Sequence, residues 1–320
     1  MITALAELLE ALGLPLDAAG EETQLGEALR QLPLKVPREL VGRMRRGDPD
    51  DPILRQVLPH AREVVPAPGF VRDPLGEAQA CGPAGLLRKY RGRALLLVTG
   101  ECAVHCRYCF RRHLRLAERS AAAGWDPALA ALAADPTVDE VVLSGGDPLT
   151  VGDADLAGLT EELSRVPHLR RLRVHTRVPV VVPGRVTDQL AGRLAGTRLQ
   201  PVVVIHCNHP AELDSSVGAA LGRLRAAGVT LLNQSVLLAG VNDRLDTLAR
   251  LSRDLFELGV LPYYLHLLDR VRGAAHFEVG EAAAARLVTH LAGELPGYLV
   301  PRLVREVPGA TAKVPLPLHP

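Results

Sequence analysis

Six short apolar runs, rich in Val, Leu and Ile, recur from residue 94 onward: Ala94–Thr99, Glu140–Ser144, Arg171–Thr176, Pro201–His206, Val229–Val236 and Val260–His266. Each is too short for a helix. Between them lie stretches with apolar positions at helical spacing: Asp126–Ala134, Leu156–Val166, Arg185–Leu194, Val217–Ala227 and Leu245–Leu258. Apolar strands alternating with amphipathic helices predict a parallel sheet covered on both faces. Six such units favour an α/β fold of the partial (βα)6 TIM-type barrel over a complete eight-unit barrel. An open doubly wound sheet is the alternative, but no G-x-G-x-x-G follows the first strand. Residues 1–89 read as a helical N-terminal segment and connector, with Pro and Gly accumulating in Val65–Phe70 and Cys81–Gly85. Residues 90–278 then hold the barrel, and 279–320 form a C-terminal segment.

In α/β barrels the working residues lie at the C-terminal ends of strands and in the loops that follow. Polar residues fall there in every unit of this chain. Cys102, Cys106 and Cys109 follow the first strand, and Gly145-Gly146-Asp147 follows the second. His175 and Arg177 end the third and His206 the fourth; Gln234 lies late in the fifth; His266 and Asp269 end the sixth. For His175 alone, a hydrogen-bonded core histidine is an equally good reading.

Composition narrows the class. A chain of 320 residues, 48% apolar, can bury a large core. A net charge of +1 gives no electrostatic case for nucleic acid or a membrane surface as partner. No apolar run approaches the roughly 18 residues of a membrane span. The start, Met1-Ile2-Thr3-Ala4, shows no signal-peptide pattern. The expectation is a cytoplasmic enzyme.

The cysteines change the picture most. Three of the five lie within eight residues, Cys102-Ala-Val-His-Cys106-Arg-Tyr-Cys109, spaced C-x3-C-x2-C. Three thiolates hold three irons of a [4Fe–4S] cluster and leave the fourth open to a small ligand. An open iron can bind S-adenosylmethionine and reductively cleave it to a carbon radical. A zinc site completed by His105 or His113 is the competing reading. A disulfide set is disfavoured by the odd count. Cys81 and Cys207 are isolated and read as small buried hydrophobes. Gly145-Gly146 permits close backbone approach to a ligand, with the acid Asp147 beside it to meet an ammonium. A tight strand-to-helix turn alone would look the same.

Lysine usage is the second clue. Of 37 basic residues only Lys35, Lys89 and Lys313 are lysines. Arginine cannot form a Schiff base and lysine can. Lys313 ends a run of small residues, Pro308-Gly309-Ala310-Thr311-Ala312, able to pass close to a flat cofactor, for which pyridoxal 5′-phosphate is the natural candidate. A solvated lysine near a frayed end is the plain alternative.

Together these stretches resemble the radical S-adenosylmethionine lysine 2,3-aminomutase family. The likeness runs through Tyr90–Leu97, the cysteine loop to Arg112, Ser144–Leu149, Arg177-Val-Pro-Val180, His206–Pro210, Asn233–Leu238, Pro262-Tyr-Tyr264 and the loop ending at Lys313. It implies that Cys102, Cys106 and Cys109 ligate the cluster and that Lys313 holds pyridoxal phosphate. It implies that Tyr90 and Arg93 touch that cofactor. Gly145, Gly146, Asp147, Arg177, His206 and Gln234 would face S-adenosylmethionine. Arg111 would clasp the substrate carboxylate, and Asp269 and Glu306 the side-chain ammonium of L-lysine. Family members carry Asp where this chain has Glu306.

Gly47–Val57, Cys109–His113 and Gly273–Phe277 resemble the short bacterial branch that makes β-lysine for elongation factor P. That resemblance implies a functional link to elongation factor P and its lysyl ligase, an electron donor of flavodoxin or ferredoxin type, and no structural zinc. The alternatives are a catabolic lysine 2,3-aminomutase, an aminomutase for another amino acid and, more distantly, a non-enzymatic iron–sulfur or zinc module.

Overall fold

The computed structural model describes residues 1–15, 22–82, 85–120 and 124–318. One sheet organises it. Its nine strands are β1 (Leu86–Tyr90), β2 (Arg93–Thr99), β3 (Glu140–Gly145), β4 (Arg171–Thr176), β5 (Gln200–Ile205), β6 (Thr230–Val236), β7 (Leu261–His266), β8 (Arg302–Arg305) and β9 (Val314–Pro315). They lie side by side in sequence order. Strands β2 to β8 are mutually parallel, while β1 and β9 add antiparallel to the two edges. A monotonic order has no reversal point, so the doubly wound alternative fails. The six expected strands are present within a residue or so at each end, and the fold is an open, partial α/β barrel.

The sheet has three further strands. Strand β8 is four residues long, with arginine at both ends, and no alternation can be read in so short a run. Strand β1 pairs back on β2 through Tyr90 and Arg93, and β9 has only two residues. The sheet therefore runs from Leu86 to Pro315, across both expected segment boundaries.

Side-chain alternation separates the two faces of the sheet. In β4, Leu172, Val174 and Thr176 are buried, while Arg173 and His175 point to the other side and line a cavity. Leu172 and Val174 belong to a core layer with Leu96, Val98, Val141, Leu143, Val203 and Ile205 from neighbouring strands. Helices Asp153–Arg165, Asp188–Ala195 and Ser215–Ala226 press Leu159, Leu163, Leu190, Leu221 and Leu224 onto it. Each such leucine contributes roughly 1.5–3 kcal/mol by burial. Helix Leu245–Glu257 shows the pattern plainly, burying Leu248, Leu251 and Leu255 at helical spacing. Among the described residues no helix is long and apolar enough to cross a membrane.

The N-terminal segment closes one end. Leu8, Leu9 and Leu12 of helix Leu5–Leu12 form a second core with Leu40, Ile53, Leu54 and Val57. That core also contains Val104 of the cysteine loop and Val181 beyond β4. The leader is thus packed against the loops that follow the strands, where the chemistry is expected.

Candidate active site

A cavity of about 730 Å³ opens at the C-terminal ends of the strands. Every site residue nominated from the sequence lines it: the three cysteines, Tyr90, Arg93, Arg111, Gly145, Gly146, Asp147, Arg177, His206, Gln234, Asp269, Glu306 and Lys313. Two walls of different construction face one another across it.

The cysteine wall is held by buried ion pairs. Arg107 is fully buried and donates from Nε and Nη2 to Glu63 at 2.8 and 2.6 Å. Its Nη1 and Nη2 also reach the carbonyls of Leu32 and Ala28, at 2.6 and 3.1 Å. Arg112 donates to the same Glu63 carboxylate at 2.5 Å. Burial would raise the Glu63 carboxyl, but the two guanidinium groups outweigh it and hold it below the usual carboxylate range. Burial pushes the Cys109 thiol up to about 11 and raises Cys102 as well. Buried thiols become good ligands only when a cation offsets their charge, as bound iron does. Among the described residues no three His, Cys, Asp or Glu side chains close around a place for one metal ion. A cubane cluster asks for a different layout, with each thiolate on its own iron. The donor set, three thiols of one loop on a cavity wall, suits that layout.

The glycine turn is fitted to backbone rather than to open space. Gly145 has φ +119°, and a Cβ there would lie 2.5 Å from the Thr99 carbonyl oxygen. A Cβ on Gly146 would sit 2.1 Å from the carbonyl oxygen of Glu101, the residue before Cys102. The amides of Gly146 and Asp147 donate to those two carbonyls at 2.7 Å each. Asp147 is likewise committed to the protein. It accepts from Thr176 Oγ1 at 2.6 Å, and from the amides of Leu149, Arg177 and Val178 at 3.0, 2.7 and 3.2 Å. The sequence expectation gave this carboxylate an ammonium ligand. In the structure it ties the turn after β3 to the turn after β4.

The lysine wall is a chain of alternating charges that begins on the cysteine loop itself, at Arg111. Arg111 grips Glu77 with Nε and Nη2 at 2.7 and 3.0 Å, and its Nη1 reaches Ser144 Oγ and the Gly145 carbonyl. Four of its five N–H groups are thereby occupied, leaving one for a ligand. Lys89 donates to Glu77 at 2.7 Å and lies 3.5 Å from Glu306. Lys313 donates to the other oxygen of Glu306, with its ammonium 3.5 Å from His266 Nε2 and 5.5 Å from the centre of the Tyr264 ring. Burial would raise the Glu77 carboxyl, yet Arg111 and Lys89 hold it at about 2. Asp269 is less well supported: burial, then the neighbouring Glu306, pushes it up to about 7 against the opposing pull of Lys313 and Lys89. Arg93 lies over the Tyr90 ring at 5.2 Å. The wall thus offers one reactive amine, one acid easily ionised by an incoming cation, and a guanidinium facing the cavity.

Sequence reasoning missed Glu77 and Lys89, which join the expected residues into one chain. The scarcity of lysine pointed at Lys89 as much as at Lys313. Glu77, by contrast, lies in an ordinary acidic stretch and carries no sequence signal. His175 turns out not to be a satisfied core histidine. Its Nε2 is buried without a hydrogen-bond partner among the described residues, and burial holds its pKa well below the usual value.

No family model matches the chain. It is 50% identical over 303 residues to the L-lysine 2,3-aminomutase of Escherichia coli K12, covering 94% of this chain and 88% of that protein. The L-lysine 2,3-aminomutase of Haemophilus influenzae is 47% identical over 307 residues, 96% of this chain and 90% of that protein. The chain belongs to the L-lysine 2,3-aminomutase family. It is accordingly an isomerase of the aminomutase type. Among solved structures it is similar to a radical SAM methyltransferase from Sphaerobacter thermophilus, at 20% identity and TM-score 0.46, over 69% of this chain and 68% of that one. In this aminomutase the two walls bring residues more than two hundred positions apart, Cys102 and Lys313, to one cavity.

Proposed function

We propose that the chain is a radical S-adenosylmethionine aminomutase converting L-α-lysine to β-lysine, in service of elongation factor P modification. The observation that carries the reading is the single cavity in which three loop cysteines face a lysine set among acids. Cys102, Cys106 and Cys109 would hold the cluster and leave one iron for S-adenosylmethionine. Lys313 would hold pyridoxal phosphate, and Tyr90 and Arg93 would contact it. When bound, these groups supply a carbon radical and a π-system that delocalises spin.

The protein's part is binding and orientation. The remaining N–H of Arg111 meets the substrate carboxylate, while Glu77 fixes the guanidinium in place. Asp269 and Glu306 meet the distant ammonium. Asp269 gives up its proton as the cation arrives, because an opposite charge at close range favours the ionised carboxyl. Asp147 acts by holding two loops together. The elongation factor P role rests on the resemblance of Gly47–Val57, Cys109–His113 and Gly273–Phe277 to the short branch, and it implies a low-potential one-electron donor, a lysyl ligase and a cytoplasmic setting.

The test is anaerobic turnover by protein reconstituted with iron, sulfide, pyridoxal phosphate, S-adenosylmethionine and dithionite. L-lysine should give β-lysine and reversible use of S-adenosylmethionine. Cleavage of S-adenosylmethionine with lysine left unchanged would sink the substrate assignment. Turnover of another amino acid in preference to lysine would favour an aminomutase of different specificity.

A further inference from the structure

Four arginines are buried around the cysteine loop, and three of them are committed to carboxylates, hydroxyls and carbonyls. Arg107 and Arg112 share Glu63, and Arg111 holds Glu77. Arg177 is different. Its Nη1 donates to the sulfur of Cys106 at 2.7 Å. The other end of the same guanidinium is anchored, with Nη2 donating to Glu212 Oε2 at 2.9 Å and to Gln56 Oε1 at 2.7 Å. Arg177, Glu212 and Gln56 are all buried, at 6%, 0% and 0% exposure.

The anchor is itself built in. Glu212 Oε1 accepts from the amides of Asn208 and His209 at 2.9 and 3.0 Å. Gln56 Oε1 also accepts from Asn208 Nδ2 at 2.9 Å. The backbone amide of Arg177 is fixed by Asp147 at 2.7 Å. The guanidinium therefore cannot swing toward water, and its direction is set from the leader, the turn after β3 and the loop after β5 together. The Arg177–Glu212 pair is neutral as a whole, with its positive end on Cys106 Sγ and its negative end away from it.

Such a dipole has a consequence for a group bound through Cys106. A [4Fe–4S] cluster on three thiolates gains one negative charge when it accepts one electron. A cation hydrogen-bonded to a ligating sulfur stabilises the reduced form more than the oxidised form, which raises the potential; hydrogen bonds to the sulfurs and net charge are the protein's recognised means of setting it. We infer that Arg177, aimed by Glu212 and Gln56, is a positioning residue that sets the reduction potential of the cluster through Cys106, rather than a contact for S-adenosylmethionine. This inference rests on the cluster reading above.

The experiment is a mediated redox titration of reconstituted protein with dithionite, followed by the electron paramagnetic resonance of the reduced cluster, without any turnover. Iron content and the absorbance of the wild-type protein are measured first. Wild type that fails to carry a [4Fe–4S] cluster defeats the cluster reading itself, before Arg177 is at issue. Given a wild-type cluster, Arg177→Gln should shift the midpoint to lower potential, since it removes the cation from the sulfur. Glu212→Gln should shift it to higher potential, since it removes the counter-charge and leaves the cation. Opposite shifts support the inference, and midpoints equal to wild type in both overturn it. If Arg177→Gln does not load iron, Glu212→Gln decides alone, and an unchanged or lowered midpoint overturns the inference. If neither variant loads iron, the pair is a structural clamp and the tuning role is overturned.

Discussion

The two walls of the cavity are made by opposite means. The cysteine wall is locked. Its loop is pinned by Arg107 and Arg112 on Glu63, by Arg177 on Cys106, and by the close fit of Gly145 and Gly146 to the backbone. The lysine wall carries Glu306 and Lys313 at the two ends of a largely exposed loop, residues 307–312, that turns at Gly309 with φ +78°. Beyond Arg111, its charges are paired to each other rather than to backbone. The difference follows from what each wall would hold. A cluster stays put and needs a rigid, low-exposure nest. An amine that takes and releases a cofactor, and acids that exchange a lysine of the protein for a lysine of the substrate, need partners that can be given up. Glu306 is bonded to Lys313 in this state and is the acid nominated for the substrate ammonium.

The largest expected effect breaks the locked wall alone. Cys106→Ala should abolish iron retention, because two thiolates cannot hold the cluster. Iron and sulfide analysis after anaerobic reconstitution checks it. A variant that still carries about four irons per chain and a [4Fe–4S] spectrum would remove the cluster from this wall. The covalent link to pyridoxal phosphate should survive, since Lys313 has no contact with Cys106.

The converse substitution breaks the other wall alone. Lys313→Ala should lose all covalent pyridoxal phosphate while keeping its iron. Borohydride reduction followed by peptide mapping distinguishes the three lysines, and a pyridoxyl label on Lys89 or Lys35 would show that the reactive amine was misassigned. If each variant loses both cofactors, the walls are one cooperative unit and the contrast between them fails.

The two walls were not equally legible in the sequence. The cysteine loop declares itself because its spacing is local, eight residues that name their own chemistry. The strands were legible because β2 to β7 are short runs rich in apolar residues, and the helices because an amphipathic face repeats. Strand β8 was hidden by its arginines and β9 by its length. What holds each wall was hidden as well. Glu63, Glu77 and Glu212 meet arginines 44, 34 and 35 residues away in the chain, and no spacing rule reaches that far. Asp147 was legible as an important acid, while its task of joining two turns was not, because amide donors leave no mark in a sequence.

Within the lysine wall, Asp269 offers a graded test. Asp269→Asn should lower kcat/KM for lysine by about 30-fold or more, the effect of removing roughly 2 kcal/mol from a desolvated charge pair. Both cofactor spectra should remain. The pH dependence has a definite sign. Asp269 titrates near 7 in the folded protein, above its unfolded value of 3.8. The folded state therefore binds the extra proton between those values, and stability falls as pH rises through that window. Asp269→Asn should match wild type in thermal stability near pH 4 and exceed it near pH 8. The wild-type kcat/KM should rise through pH 7 as the carboxyl ionises, and the variant should lose that rise. A variant that melts lower at every pH but turns over lysine normally would make Asp269 a structural acid and remove the anionic pocket.

The smallest effect concerns the link between the walls. Lys89 joins Glu77, which steadies Arg111 behind the cysteine loop, to Glu306, which faces Lys313. Its own side chain is 20% exposed, whereas that of Glu77 is only 2% exposed. Lys89→Met keeps the length and the apolar stem but removes the ammonium. Glu77 would retain its two-point contact with Arg111, so no buried charge is stranded. Glu306 would retain Lys313. The expected loss is about 1 kcal/mol, at the upper end for a pair with solvent at one side. In a chain of this size that is a fall of roughly 1–2 °C in melting temperature. Iron content should not change. The covalent attachment at Lys313 should become weaker or quicker to exchange, because Glu306 then holds the released Lys313 ammonium without competition from Lys89. Stopped-flow release of pyridoxal phosphate from the lysine by an added amine reads this directly. A melting temperature lowered by ten degrees or more, with iron lost as well, would show that the charge chain is one structural element and that the lysine wall is as locked as the cysteine wall. An unchanged melting temperature with unchanged exchange would show that Lys89 does no more than neutralise, and that the two walls are joined only through the sheet.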